Sequence, residues 1–160
     1  MDKTDRQILQ YFQGNAAQPV VDVARKIDLS VTPCWRRIQW LEKFGIIRQL
    51  VALLDAQKLG VGISVFVAVR TEQHNADWLS QFAMMVSAKP EFVELYRMSE
   101  ADYMLRVVVA GMAAYDAFYR KLISSVDLTD VSSSFVMEQI KFNTALQLVA
   151  EDASGDGNAS

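Results

Sequence analysis

The chain has 160 residues, room for one ordinary domain or two small ones, and 51% of them are hydrophobic, enough to bury a core. No apolar run reaches the roughly 18 residues of a membrane span, and the polar start MDKTDRQ lacks the apolar centre of a signal peptide, so a cytoplasmic protein is expected. The single cysteine, Cys34, excludes an intrachain disulfide and fits a reducing compartment.

A net charge of −3 speaks against a uniformly basic nucleic-acid binder, but the charge is uneven. Residues 1–50 hold eight basic side chains against five acidic ones, and the remaining residues hold eight against fourteen. Only the first third is therefore suited to meet a polyanion.

In chain order, Ile8, Leu9 and Phe12 fall on one face of a first helix that Gly14-Asn15 closes. Gln18-Pro19 opens a short second helix with Val20, Val23, Ala24 and Ile27 on one side, and Asp28-Leu29-Ser30 makes a turn. Thr32-Pro33 begins a third helix, with proline in the first turn where its missing N–H costs nothing. Cys34, Ile38 and Leu41 give it a buried stripe, and Gly45 ends it. The β-rich run Ile46–Leu54 reads as a strand that serves as a linking arm, and residues 55–62 as a linker.

From Ile63 onward the period changes. Ile63, Val65, Val67 and Val69 alternate with Ser64, Phe66, Ala68 and Arg70, which predicts a strand. Asn75 caps a helix with Leu79, Phe82, Ala83 and Val86 inward. Strands at 92–98 and 103–110 follow, then a helix carrying Tyr115, Phe118, Tyr119, Leu122 and Val126, then a last strand at about 131–140. The fold class is α+β: a helix-turn-helix (winged-helix-like) domain at 1–54, then a ferredoxin-like βαββαβ domain at 63–150. Residues 151–160 read as a disordered tail. Two helices cover one face of such a sheet, so the other face, with Phe66, Ala68, Val108 and Val136 or their alternates, is expected to meet another subunit.

The first three helices form the sharpest constellation. A helix-turn-helix needs a small residue where the helices cross, an apolar turn residue and an apolar inner face on the second helix of the motif. Ala24, Leu29 and the Cys34-Ile38-Leu41 stripe supply them. The outer face then offers Thr32, Arg36, Gln39 and Lys43, flanked by Trp35 and Trp40. Ser30, Thr32, Trp35 and Arg36 are the candidates for base edges or adjacent phosphates of double-stranded DNA, and Arg37, Gln39 and Lys43 for the backbone. The plainer reading of this spacing is a three-helix bundle with a solvated basic face, because protein-binding modules share the geometry.

The combined run Ala24-x4-Leu29-Ser30-x3-Cys34-x2-Arg37-Ile38-x2-Leu41-Glu42-x2-Gly45-Ile46-Ile47 resembles the signature of the Lrp/AsnC (leucine-responsive, feast/famine) regulators. Thr32-Pro33-Cys34-Trp35 and Ala52-Leu53-Leu54-Asp55 resemble it too, and the likeness covers roughly residues 2–148. Phe135-x-Met137-Glu138-Gln139-Ile140-Lys141 and Asp102-Tyr103-x-Leu105-Arg106-Val107 look closest to the cysteine-responsive DecR-type branch. The resemblance implies a transcriptional regulator whose ferredoxin-like module dimerises, assembles into tetramers, octamers or higher rings, and binds an amino-acid effector between subunits.

That effector lies, by the same resemblance, near the turn joining the second and third strands of the module, which usually reads Gly-x-x-Asp-Tyr. Here the run is Ser99-Glu100-Ala101-Asp102-Tyr103, with Asp102 and Tyr103 matching and the glycine absent. Ser132, Ser133 and Ser134 lie where family members offer hydroxyls, and strand alternation puts two of the three on one face. Asp102 would accept from the ligand's ammonium, while serine hydroxyls and turn N–H groups would donate to its carboxylate. The alternative is that Asp102 caps the turn and the serines line an oligomer interface.

No metal or cofactor is expected, and the sequence has no phosphate loop, nucleophile elbow or metalloprotease motif. His74, beside a helix start, reads as a solvated loop residue rather than a ligand. Cys34 reads as packing, with redox sensing through the third helix as its alternative. Two other functions remain open at this point. One is a tetrapyrrole decarboxylase, since sirohaem decarboxylases resemble this family in fold; a single histidine speaks against it. The other is an effector sensor that does not bind DNA.

Overall fold

The computed structural model describes residues 1–73, 75–99 and 102–148, and the chain divides into two compact units. One comprises Met1–Ala52 with the segment from Lys141, the other Leu53–Ile140. His74 and the tail 151–160 lie outside the described residues. No helix among the described residues is long and apolar enough to cross a membrane.

The first unit is built on three helices, α1 (Lys3–Gly14), α2 (Val20–Lys26) and α3 (Val31–Lys43). A reciprocal capping box starts α1: Asp5 N–H donates to Asp2 Oδ1 and Asp2 N–H to Asp5 Oδ2, both at 2.9 Å. Ile8, Leu9 and Phe12 pack with Val23, Ala24, Cys34, Ile38 and Leu41 in one core. Between α2 and α3 the chain turns through Asp28, which takes a left-handed conformation (φ 54°), and Leu29 N–H closes back on Ala24 C=O at 2.9 Å. Ser30 is the N-cap of α3, so the helix begins one residue before Thr32 and Pro33 lies in its first turn. Gly45 (φ 69°) ends it, with Ile46 N–H bonded to Leu41 C=O. A left-handed helix stop of this kind favours glycine because it carries no Cβ.

The second unit is the expected βαββαβ: β1 (Ile63–Arg70), α4 (Ala76–Ser87), β2 (Phe92–Arg97), β3 (Tyr103–Val109), α5 (Met112–Ser125) and β4 (Asp130–Phe135). The sheet is antiparallel throughout in the order β2-β3-β1-β4, with a bulge between Phe92 and Glu94. Asn75 caps α4 by accepting from Trp78 N–H at 2.8 Å. Val65, Val67, Val69, Tyr103, Leu105, Val107 and Val109 form a core with Phe82 and Val86 of α4 and Tyr115, Phe118 and Leu122 of α5. The alternate residues, Phe66, Ala68, Met104, Arg106, Val108, Ser132 and Ser134, form the face without helices.

Two expectations are corrected. Residues 46–54 form no strand: Ile46 and Ile47 N–H groups close the end of α3, and no strand pairs with the exposed residues that follow. The last strand stops at Phe135 rather than 140, because β1, its partner, starts at Ile63; only Val136 N–H still reaches Ser64 C=O, at 2.9 Å. By its packing within the chain, the segment 141–148 groups with the first unit. There the Gln13 amide grips the Leu146 backbone, its Nε2 donating to C=O at 3.2 Å and its Oε1 accepting from N–H. Leu148 packs against the core of that unit.

Leu105 is fully buried, so Leu105→Ala is expected to cost the second unit about 2–5 kcal/mol, read as a shifted urea midpoint followed by circular dichroism. Asp2 gives an acid-side prediction. The backbone N–H of Asp5 and then the Arg37 guanidinium hold its carboxyl below the ordinary carboxylate range. A lowered folded-state pKa stabilises the protein at neutral pH, and the gain is lost as pH falls through that pKa. Asp2→Asn should therefore be less stable than the parent at pH 7, and the difference should vanish as pH falls through the lowered Asp2 pKa, measured by thermal melts across the pH range.

Candidate functional site

Two surfaces carry the candidate residues. The first is α3. Its inner stripe, Cys34, Ile38 and Leu41, is buried, and Thr32, Trp35, Arg36, Gln39 and Lys43 are exposed together with the N-cap Ser30. Trp35 is 49% exposed and Trp40, on the flank, stacks near Phe44 with ring centroids 4.8 Å apart. Arg36 and Trp40 line an open cleft of about 550 Å³ with Pro33, Arg37 and the residues at the start of α1. Cations and hydrogen-bonding groups thus share one solvent-facing side of a rigid helix, as groove recognition requires.

Arg37 is set apart from the other candidates. Its Nη1 donates to Asp2 Oδ2 and Asp5 Oδ1, each at 2.7 Å, and these carboxylates raise its pKa. The expected backbone contact therefore has partners inside the unit. The signal for them was available in the Asp2-x-x-Asp5 spacing of a helix start, which sequence reasoning passed over. Cys34 is fully buried and burial pushes its thiol pKa up, which withholds the reactive thiolate; its environment is that of a packing residue.

The second surface is the end of the sheet near the β2–β3 turn. Glu100 and Ala101 lie outside the described residues; Ser99 is exposed. Asp102 ties the start of β3 to the end of β1: Thr71 N–H donates to its Oδ2 at 2.6 Å, and Met98 N–H donates to its C=O at 3.1 Å. Thr71 is itself buried, donating from Oγ1 to Asp127 C=O at 3.2 Å. Asp102 thus caps this corner through Oδ2.

The Tyr103 side chain lies in the core. Strand alternation points it toward the helices, where its ring lies 5.6 Å from Trp78 and 5.5 Å from Phe82. The serines divide. Ser133 faces the helices and accepts a hydrogen bond from the Tyr115 hydroxyl, whose pKa is pushed up by burial. Ser132 and Ser134 face the open side, opposite Ala68 and Phe66. Ala68 also pairs with Met104, so Ser132 and the first open-face residue after the turn lie on either side of one position. Strands pack about 4.8 Å apart, which sets those two positions roughly 10 Å from each other. Among the described residues, no group of three or more histidine, cysteine or acidic side chains could hold a metal.

Comparison with known proteins gives both units a counterpart. A family model described as a winged helix-turn-helix DNA-binding domain matches residues 1–48, and one described as the Lrp/AsnC ligand binding domain matches residues 64–146. Over 150 residues the chain is 43% identical to the DNA-binding transcriptional activator DecR of Escherichia coli, spanning 92% of this chain and 99% of that protein. An AsnC family transcriptional regulator from Agrobacterium tumefaciens superimposes with a TM-score of 0.86 at 52% identity, over 92% of this chain and 97% of that one. A transcriptional regulator from Neisseria meningitidis, solved as a complex with L-Met, superimposes with a TM-score of 0.86 at 35% identity, over 92% and 96%. A winged helix-turn-helix domain on one unit and an Lrp/AsnC ligand binding domain on the other, matched by regulators along nearly the whole chain, make this a member of the Lrp/AsnC family: a DNA-binding transcriptional regulator, not an enzyme.

Proposed function

We propose that this regulator reads its operator as a homodimer or a larger ring, and that an amino acid held beside the Ser99–Tyr103 turn sets its DNA affinity. The single observation that carries the reading is the sidedness of α3, buried on Cys34, Ile38 and Leu41 and exposed on Thr32, Arg36, Gln39 and Lys43. Ser30, Thr32, Trp35 and Arg36 lie at the N-terminal half, which a recognition helix presents to base edges, and Gln39 and Lys43 follow toward the phosphates. Two such helices in a dimer read half-sites about 34 Å apart. A protein working on the cell's DNA belongs in the cytoplasm.

The open sheet face supports the assembly. Phe66 and Val136 are exposed on it beside Ala68 and Val108, and a self-complementary pairing of two such faces would remove them from water. The chemistry at the β2–β3 corner supports the effector class. The Asp102 carboxylate suits an ammonium, and Ser132 and Ser134 offer hydroxyls to a carboxylate. The relative from Neisseria meningitidis that was solved with L-Met points to the same class; cysteine and methionine are the first amino acids to test. Effector and DNA then influence each other's binding by the same factor.

Arg36→Ala is expected to weaken binding to the cognate duplex by about 1–3 kcal/mol, with oligomer size unchanged in sedimentation. Binding equal to the parent's would place α3 the wrong way round. A thermal-shift panel of amino acids tests the effector half, since a ligand at a hundred times its Kd adds about 2.7 kcal/mol. Asp102→Asn keeps an oxygen for Thr71 N–H and removes the charge. It should lose the shift that the parent shows, while binding DNA like the parent without effector.

A further inference from the structure

We propose that Asp2 and Asp5 are positioning residues for DNA recognition, acting through Arg37 to fix the rotation of α3; the proposal rests on α3 being the reading helix. Carboxylates beside a polyanion oppose binding unless they are spent on something else. Here each is committed inside the unit: one oxygen accepts from a backbone N–H at the start of α1 and the other from Arg37 Nη1. Asp5 is buried, its side chain 8% exposed, so its charge is fit for the interior only with that partner. The result is one closed network of two carboxylates, two N–H groups and one guanidinium, joining residues 32 and 35 positions apart in sequence.

The network acts on the reading face by geometry. Successive residues of a helix project about 100° apart, so holding Arg37 against the start of α1 fixes where Arg36 points. Pro33, Arg36 and Trp40 border the same cleft as Asp2 and Asp5, so the restraint lies directly beside the face it orients. Charge-assisted bonds are also directional, so this network, anchored on the buried Asp5, adds an angular restraint to the packing of Cys34, Ile38 and Leu41.

The test measures binding of the full chain to two duplexes, its own upstream region and a scrambled version, by fluorescence anisotropy over a range of salt and well below the melting temperature. Asp5→Asn is expected to lower the ratio of specific to scrambled affinity about tenfold without changing the salt slope of either duplex. Arg37→Gln should do the same, and the double variant should be no worse than either single one, because all three break one network. If Asp5→Asn fails to fold, Asp2→Asn, with its half-exposed side chain, should show a smaller loss of the same ratio. Two results would overturn the proposal. One is a specificity ratio equal to the parent's in the folded variants. The other is a salt slope reduced by about 1 in Arg37→Gln, which would make Arg37 itself a phosphate contact.

Discussion

Two helices can cover only one face of a four-stranded antiparallel sheet, and the arrangement of the second unit follows from that. Because side chains alternate along each strand, Val65, Val67 and Val69 on β1 and Leu105, Val107 and Val109 on β3 go under α4 and α5 together. Each such burial contributes about 1.5–3 kcal/mol, which leaves little freedom to slide a strand by one residue. The same alternation commits Phe66, Ala68, Val108 and Ser134 to the uncovered side. That side is not uniformly apolar: Arg106 meets Glu94 at 3.0 Å on it, and Tyr96 donates to the same carboxylate.

The helices and strands were legible in the sequence because their periods are local. Ile8-Leu9-Phe12 and Cys34-Ile38-Leu41 announce helices, Val65-Val67-Val69 a strand, and Gly45 a helix stop. What was misread depends on partners far away in the chain. The runs 46–54 and 136–140 have strand-forming composition, yet a strand exists only where another chain segment supplies its hydrogen bonds. Nothing near residue 146 in sequence indicates that its backbone will be held by the amide of Gln13. Asp28 has the same character: its left-handed backbone is dictated by how α2 and α3 must meet, and aspartate tolerates that conformation without advertising it.

The candidate site divides along the same line. The outer face of α3 could be read directly, since it is what remains when the buried stripe is subtracted. The sheet site needed parity and register as well. Tyr103 and Ser133 match their motif positions but point at the helices, whereas Ser132 and Ser134 do not. Arg37 exposes a further limit. Residue type establishes that a cation is present, but only the fold tells whether a carboxylate already holds it.

The first unit is discontinuous: the chain leaves it after Ala52 and comes back at Lys141. The second unit is thus an insertion with two tethers. Because β1 and β4 are antiparallel neighbours, with Val65 opposite Phe135, both tethers leave the sheet from the same corner. The Thr71–Asp102 corner is at the other end of β1, about 20 Å away at 3.3 Å per residue. An event at that corner has no short covalent route to the DNA-reading helices. Along the chain it is separated from them by the full length of β1 or β4, the two strands that continue into the tethers.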